Sequence, residues 1–362
     1  EYTLLRTDCQ LYDGLLWIEP GKEHIERVRM KPGRVFFVEQ GNPKASDANP
    51  GTEEAPWKTL RRGAAQLKAG HTLLVKSGTY ATKVKEWKHN EYGPWIPGWM
   101  VPGVVVGNPR GRQAPGIDSA TGTKEYPIVI RAYPGHKVVI GSKTAKVRVG
   151  TYSASYVIFD GFVLDHADFF IDYGSHVIIQ NCEMVYGLNK APGDPSYTNM
   201  VELRLCRCVV VRNNQIHGNK FELNPVGTVG TNRAAVILHW VDDALIENNL
   251  FYDNHISYRN KCGKEGRYGN RNIFRRNIVR DCYFGVHMGG YAGASTDNLI
   301  AQNVFLNCNV AVLDNGGNIR LTVANNTCWK TAGYGHFYPD FGAKSPDGRL
   351  FNCLIDRAKS PV

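Results

Sequence analysis

Val211-Arg212-Asn213-Asn214 returns as Ile246-Glu247-Asn248-Asn249, Phe274-Arg275-Arg276-Asn277, Ile300-Ala301-Gln302-Asn303 and Val323-Ala324-Asn325-Asn326. Each phrase leads from an apolar residue to a closing asparagine. Outward from these five, Ile158-Phe159-Asp160-Gly161 and Ile179-Gln180-Asn181-Cys182 precede, and Leu350-Phe351-Asn352-Cys353 follows, making eight copies at intervals of 21 to 35 residues. β-Branched runs fill the intervals, without a helical stretch. A period in this range predicts a solenoid of strands, in which each turn pairs its backbone with the turns above and below. Asparagines stacked at a corner can then bond one another and the main chain, as in the amide ladders of stacked sheets. The expected class is all-β, a parallel β-helix.

The bulk numbers fit that class. The 362 residues are 43% hydrophobic and 21% charged, with 38 glycines and 18 prolines to supply turns. No apolar run of about 18 residues occurs, so no membrane span is expected. Glu1 opens no signal peptide, as in a processed mature chain or a trimmed one. The net charge of +10 favours a polyanionic partner. Nucleic acid is set aside, because neither a recognition helix nor a dense basic run is present. Nine cysteines lack the paired spacing of a zinc site. Cys182 and Cys353 hold the ladder position, and Cys282 and Cys308 each follow it by five residues, so stacked, buried thiols are expected.

Residues 1–34 contain no copy of the phrase and read as short strands, the tail of a preceding module; residues 35–362 form the β-helix domain. Val35–Val38 is a strand, and Leu60, Ala64 and Leu67 mark a short amphipathic helix. A solenoid exposes its core at each end, so a helix at the first coil is expected as a cap. The loop D-A-N-P-G-T-E-E-A-P-W-K-T-L (47–60) and the following G-H-T-L-L-V-K-S-G-T-Y (70–80) carry a resemblance. They are similar to the opening of right-handed parallel β-helix proteins of the pectate-lyase-like superfamily. That resemblance implies a right-handed coil and a secreted, periplasmic or cell-surface location, and says little of the substrate. It leaves the reaction open, since lyases, hydrolases, epimerases and viral fibres share the coil.

Long insertions interrupt the rhythm. Residues 83–125 bring Trp87, Trp95 and Trp99 among glycines and prolines, a platform on which sugar rings could stack or a loop packing its own aromatics. Residues 187–199 and 218–232 lengthen two consecutive turns.

Strand phase places the candidate site. With Val201, Leu203, Val236, Leu238, Tyr258, Val286 and Val312 inward, their neighbours point out. Two outward columns follow: Glu202, Ile237, Arg259, His287, Leu313, and beside it Arg204, His239, Lys261, Gly289, Asn315. A solvated strand face would carry charge too, but would mix its signs. Cations stacked at about 4.8 Å repel one another and lower the pKa of a lysine among them. A polyanion would relieve the repulsion, and such a lysine suits a general base.

Breaking a uronic-acid polymer by β-elimination takes a group that neutralises the carboxylate, a base and an acid. Lys261 suits the base, Arg259 or Arg204 the neutraliser, and His239 or His287 the acid or a second base; Glu202, Asn315 and the three tryptophans would bind substrate. I-S-Y-R-N-K-C-G (256–263) and N-I-V-R-D-C-Y-F-G-V-H-M-G-G (277–290) resemble the polysaccharide-lyase branches of the superfamily. In those branches a strand lysine is the base, and Lys261 matches its place. The Arg-His-Gly of the alginate and chondroitin-B group is absent, replaced by Val286-His287-Met288. The acidic calcium ligands are absent as well, with Asp253 alone in the corresponding stretch, so no cofactor is expected beyond, at most, a weak dependence on calcium.

The expected protein is a monomeric polysaccharide lyase acting on an acidic glycan. Two alternatives stay open. A glycoside hydrolase needs two suitably separated carboxylates, while Asp242-Asp243 reads as a turn and Glu202, Asp172 and Asp314 are isolated. A non-catalytic glycan-binding coil would use the basic face for binding alone.

Overall fold

The computed structural model describes residues 13–18, 25–29, 33–81, 102–107, 121–145, 147–187, 199–219, 234–261, 269–289, 295–314, 318–330 and 347–356. The chain divides into two compact units, Glu1–Glu183 and Met184–Val362. Both are built from coils of short parallel strands, apart from one antiparallel hairpin, Asp13–Ile18 with Ile25–Arg29.

In the first unit, Val35–Val38, Thr72–Val75, Ile128–Ala132, Ser155–Asp160 and Ser175–Gln180 pair in parallel, in that order. Gly78–Tyr80, Val138–Ile140 and Val163–Asp165 form a second wall, and Pro102–Gly107, Val147–Tyr152 and Ala167–Asp172 a third. The helix Leu60–Ala65 begins at Thr59, whose hydroxyl accepts the Arg62 N–H. Leu60, Ala64 and Leu67 are buried, as their spacing predicts. Gly63 lets the helix approach the first strands: a Cβ there would lie 2.7 Å from Leu73 Cδ2.

The second unit repeats the three walls. Val210–Arg212, Leu245–Glu247, Ile273–Arg275, Leu299–Ala301, Thr322–Ala324 and Arg349–Phe351 pair in sequence. After one corner come Gln215–His217, Leu250–Tyr252, Ile278–Arg280, Val304–Leu306, Thr327–Trp329 and Leu354–Ile355. The third wall is Val201–Arg204, Val236–His239, Ile256–Lys261, Phe284–Met288 and Val310–Asp314. Phe251, Phe274, Phe305 and Tyr258 fill the interior.

The corner explains the repeated phrase. Asn213, Asn248, Arg276, Gln302 and Asn325 each adopt a left-handed conformation, with φ between 54 and 59°. Asparagine tolerates that region, whereas arginine and glutamine there carry strain of about 1–3 kcal/mol. The following asparagine holds the bend. Asn277 Oδ1 accepts the Asn249 backbone N–H at 2.9 Å and its Nδ2 at 3.0 Å, while Asn277 Nδ2 donates to Ile246 O at 3.0 Å and Asn303 Oδ1 at 3.1 Å. The same bonds run from Asn214 to Asn249 and from Asn303 to Asn326, so these buried amides are satisfied.

One copy of the phrase is displaced. Asp160 pairs with Gln180, which puts Gly161 opposite Asn181 rather than Cys182. Gly161 is itself the left-handed corner residue, at φ 82°, and Phe162 takes the inward place. A glycine fits the corner without strain, so it belongs one position earlier than an alignment on the closing residue implies.

The thiols stack inward. Cys182, Cys206, Cys208, Cys282, Cys308 and Cys328 are buried and free, and Cys353 is half-buried and free. Ser257 Oγ donates to Cys282 Sγ at 3.1 Å inside the coil.

Candidate active site

The third wall of the second unit carries the two columns in the expected register. Glu202 pairs with Ile237, Ile237 with Arg259, Arg259 with His287, and His287 with Leu313. Arg204 pairs with His239, and His239 with Lys261. Gly289 continues this second column: its N–H bonds Asn260 O at 3.0 Å. Val201, Leu203, Val236, Leu238, Tyr258, Val286 and Val312 are all buried inside. Asn260 is buried as well, and its Nδ2 donates to Gly269 O at 3.2 Å, fixing the strand end that presents Lys261. Asn315, Trp87, Trp95 and Trp99 lie outside the described residues.

The two columns differ in exposure. Glu202, Arg204, His239 and Lys261 are half-buried, with surface open to solvent. Arg259 is only 5% exposed and His287 is 0% exposed. The expectation that both columns face solvent is therefore corrected at Ile237, Arg259, His287 and Leu313 of the first. Ile237 and Leu313 in that column join Ala234, Ile256, Phe284 and Val310 in an apolar cluster, with Tyr283 packed against it. The strands take two successive inward steps here. Ser257 bonds Cys282 inside, and a Cβ on Gly285 would strike the Phe305 ring at 2.6 Å, so Ile256, Phe284 and Val310 turn outward.

Burial sets the charge states. His287 is pushed down to about 3, first by burial and then by Arg259 and His255, so it is neutral near pH 7. His239 is pushed down to about 4, chiefly by burial; Glu202 opposes this, while Lys261, Arg204 and Arg259 add to it. Lys261 falls to about 8 because it is partly desolvated and faces Arg259, against a smaller opposing pull from Glu202. A lysine at that value has an appreciable free-amine fraction just above neutral pH. His287 is enclosed in the wall and neutral near pH 7.

His255, which the two columns do not include, belongs to the enclosed group. Its ring stacks on Tyr283 at 5.3 Å and meets Phe284 edge-on at 6.0 Å. The signal was legible: His255 follows Asn254 as Tyr283 follows Cys282, one coil later.

The carboxylates behave as turn and core groups. Asp243 accepts two bonds from Arg271, at 2.7 and 2.8 Å, and Asp242 accepts the Asn270 N–H at 2.7 Å. Asp314 is buried and accepts from Asn318 Nδ2 at 2.6 Å. Asp172 is buried in the first unit. Among the described residues of the two columns, Glu202 is the one carboxylate. No group of three or more His, Cys, Asp or Glu among the described residues is placed to hold a metal ion. No helix among them is long and apolar enough to cross a membrane.

The family described as "Right handed beta helix region" matches residues 149–328. No curated protein matches the chain in sequence. Among solved structures, pectate lyase Pel9A is similar with a TM-score of 0.54 and 15% identity, covering 92% of this chain and 80% of its own. A hyperthermoactive exopolygalacturonase from Thermotoga maritima gives a TM-score of 0.53 at 10% identity, covering 93% and 81%. A galactohydrolase described as acting on a sulfated galactose–anhydrogalactose polymer gives 0.51 at 10% identity, covering 86% and 73%. At these identities the likeness is one of fold. The coil is a right-handed β-helix of a kind used by both lyases and glycoside hydrolases.

Proposed function

We propose that this right-handed β-helix is a polysaccharide lyase that cleaves a uronic-acid-containing glycan by β-elimination on the third wall of its second unit. The observation that carries the reading is Lys261, held near pKa 8 in one column with Arg204 and His239. Arg204 faces the uronate carboxylate and takes up the charge that develops there, stabilising the transition state more than the ground state. The free amine of Lys261 removes the proton on the carbon bearing the carboxylate. That electron pair forms the C4–C5 double bond as the C4–oxygen bond breaks, and the leaving oxygen takes a proton from the Lys261 ammonium or from water. His239, neutral near pH 7, serves as a hydrogen-bond donor to the bound sugar. Arg259 acts through Lys261: buried beside it, it lowers the pKa of the ammonium and so raises the free-amine fraction. Such a substrate fits the net charge of +10 and an extracytoplasmic or cell-surface location.

A hydrolase would need a second carboxylate beside Glu202, and the described columns offer none. The test incubates the protein with pectate, alginate, glucuronan and glycosaminoglycans, and follows unsaturated-uronide absorbance and reducing ends together. Both signals rising in step support the lyase. Reducing ends alone mean hydrolysis, and binding without either means a non-catalytic coil.

A further inference from the structure

The first compact unit holds a cavity of about 410 Å³ near its opening strands, within the size range of small-ligand sites. Its walls carry Arg34, Arg62 and Lys68 together with His71, and among the described residues no acidic side chain lines it. Among the described residues, none of the three cations forms a salt bridge. Arg62 Nε is buried there without a hydrogen-bond partner. A buried guanidinium N–H left in this state is unfavourable, and an anionic acceptor would relieve it.

The floor is aromatic and rigid. Phe36 stacks on Trp57 at 4.9 Å, His71 meets Phe36 edge-on at 5.1 Å, and Arg62 lies 5.9 Å over the Trp57 ring. Trp57 Nε1 donates to Asn49 O at 2.7 Å, which locks the indole. His71 Nδ1 accepts the Lys68 N–H at 3.1 Å, so the neutral ring carries its proton on Nε2. Burial first, and then the charges of Arg34 and Lys68, hold the imidazole below its ordinary value against a bond the ring donates to the Gln66 backbone carbonyl.

We infer that this cavity is a second glycan-binding site, separate from the Lys261 column, which takes an acidic sugar residue with its carboxylate on Arg34, Arg62 and Lys68 and its ring against the Phe36 edge of the aromatic floor. Fixed donors beside an apolar surface suit a ring that carries one anionic group. The anion-binding chemistry stands on the cavity alone; the choice of a sugar acid rests on the lyase reading.

The experiment titrates the His71 ring by NMR in the Lys261→Ala protein, where substrate survives, with trigalacturonate, neutral maltotriose or sodium sulfate added. Trigalacturonate is expected to raise the His71 pKa saturably while maltotriose leaves it unchanged. In the Arg34→Ala/Lys68→Ala variant, which alters exposed side chains and so spares folding, its affinity should fall about tenfold. An unmoved His71 titration, or an equal response to maltotriose, overturns the site. An equal response to sulfate overturns its assignment to a sugar. Turnover assays read Lys261 and this titration reads the cavity, so the two readings fail separately.

Discussion

Lys261 stands directly opposite His239 on the next strand, and its charge helps to hold that imidazole neutral. The pair therefore puts one switchable charge on the wall instead of two. A neutral ring beside the amine adds no repulsion of its own, so the lysine's low value comes from burial and from Arg259 two residues earlier on the same strand.

Arg259→Met tests that coupling. Removing the guanidinium should raise the Lys261 pKa toward its ordinary range and move the basic limb of kcat/KM to higher pH. A shift of one unit would cost about tenfold in rate at pH 7 and little at pH 10. A limb that stays near 8 in the variant would show that Arg259 does not tune the base.

His287 makes stability depend on acid. Its folded pKa of about 3 lies below the unfolded value near 6.5, so between these limits the unfolded chain binds a proton that the folded chain refuses. This contribution is complete above about pH 6.5 and declines as pH falls, by about 1.4 kcal/mol per unit. Denaturant midpoints for the wild type and His287→Met, measured at pH 7 and pH 5, should show a steeper loss in the wild type. Parallel losses would contradict the buried neutral histidine.

The ladder should be costly to interrupt. Asn277→Ala removes the acceptor of two Asn249 bonds and the donor to Ile246 O, leaving buried polar groups behind. A loss of about 2–4 kcal/mol is expected in chemical denaturation. A loss under about 0.5 kcal/mol would mean that the corner is held by other contacts.

Thiol labelling should follow burial. In the native protein Cys353 should be modified well before Cys182, Cys206, Cys208, Cys282, Cys308 and Cys328, all of which are buried. Burial raises Cys182 and Cys328 to about 12, which slows them further. Mass spectrometry of partly alkylated protein gives the order directly, and early labelling of Cys182 or Cys328 would contradict the packed interior.

The coil was legible because each corner asparagine has a backbone job that few other residues can do, and the job recurs in every turn. The columns were legible because Tyr258, Val286 and Val312 sit at a fixed distance from the ladder and a strand alternates sides. Burial of the first column was not legible. Strand phase alone puts Ile237 and Leu313 among the outward residues, and it does not show that they join an apolar cluster beside His287. Period-two alternation also hides the double inward step at Ser257 and Gly285, which turns Ile256 and Phe284 outward. The displaced first copy has a similar origin. Its ladder position holds Phe162, and glycine stands at the bend, so the closing residue alone misplaces the register.

The pH–rate profile of unsaturated-product formation, compared between the wild type and Lys261→Ala on the best acidic glycan, tests the central claim most directly. The wild type should rise with a single basic limb near pH 8, and the variant should lose at least about a hundredfold and the limb with it. A variant that keeps its turnover and the same limb would remove Lys261 from the chemistry.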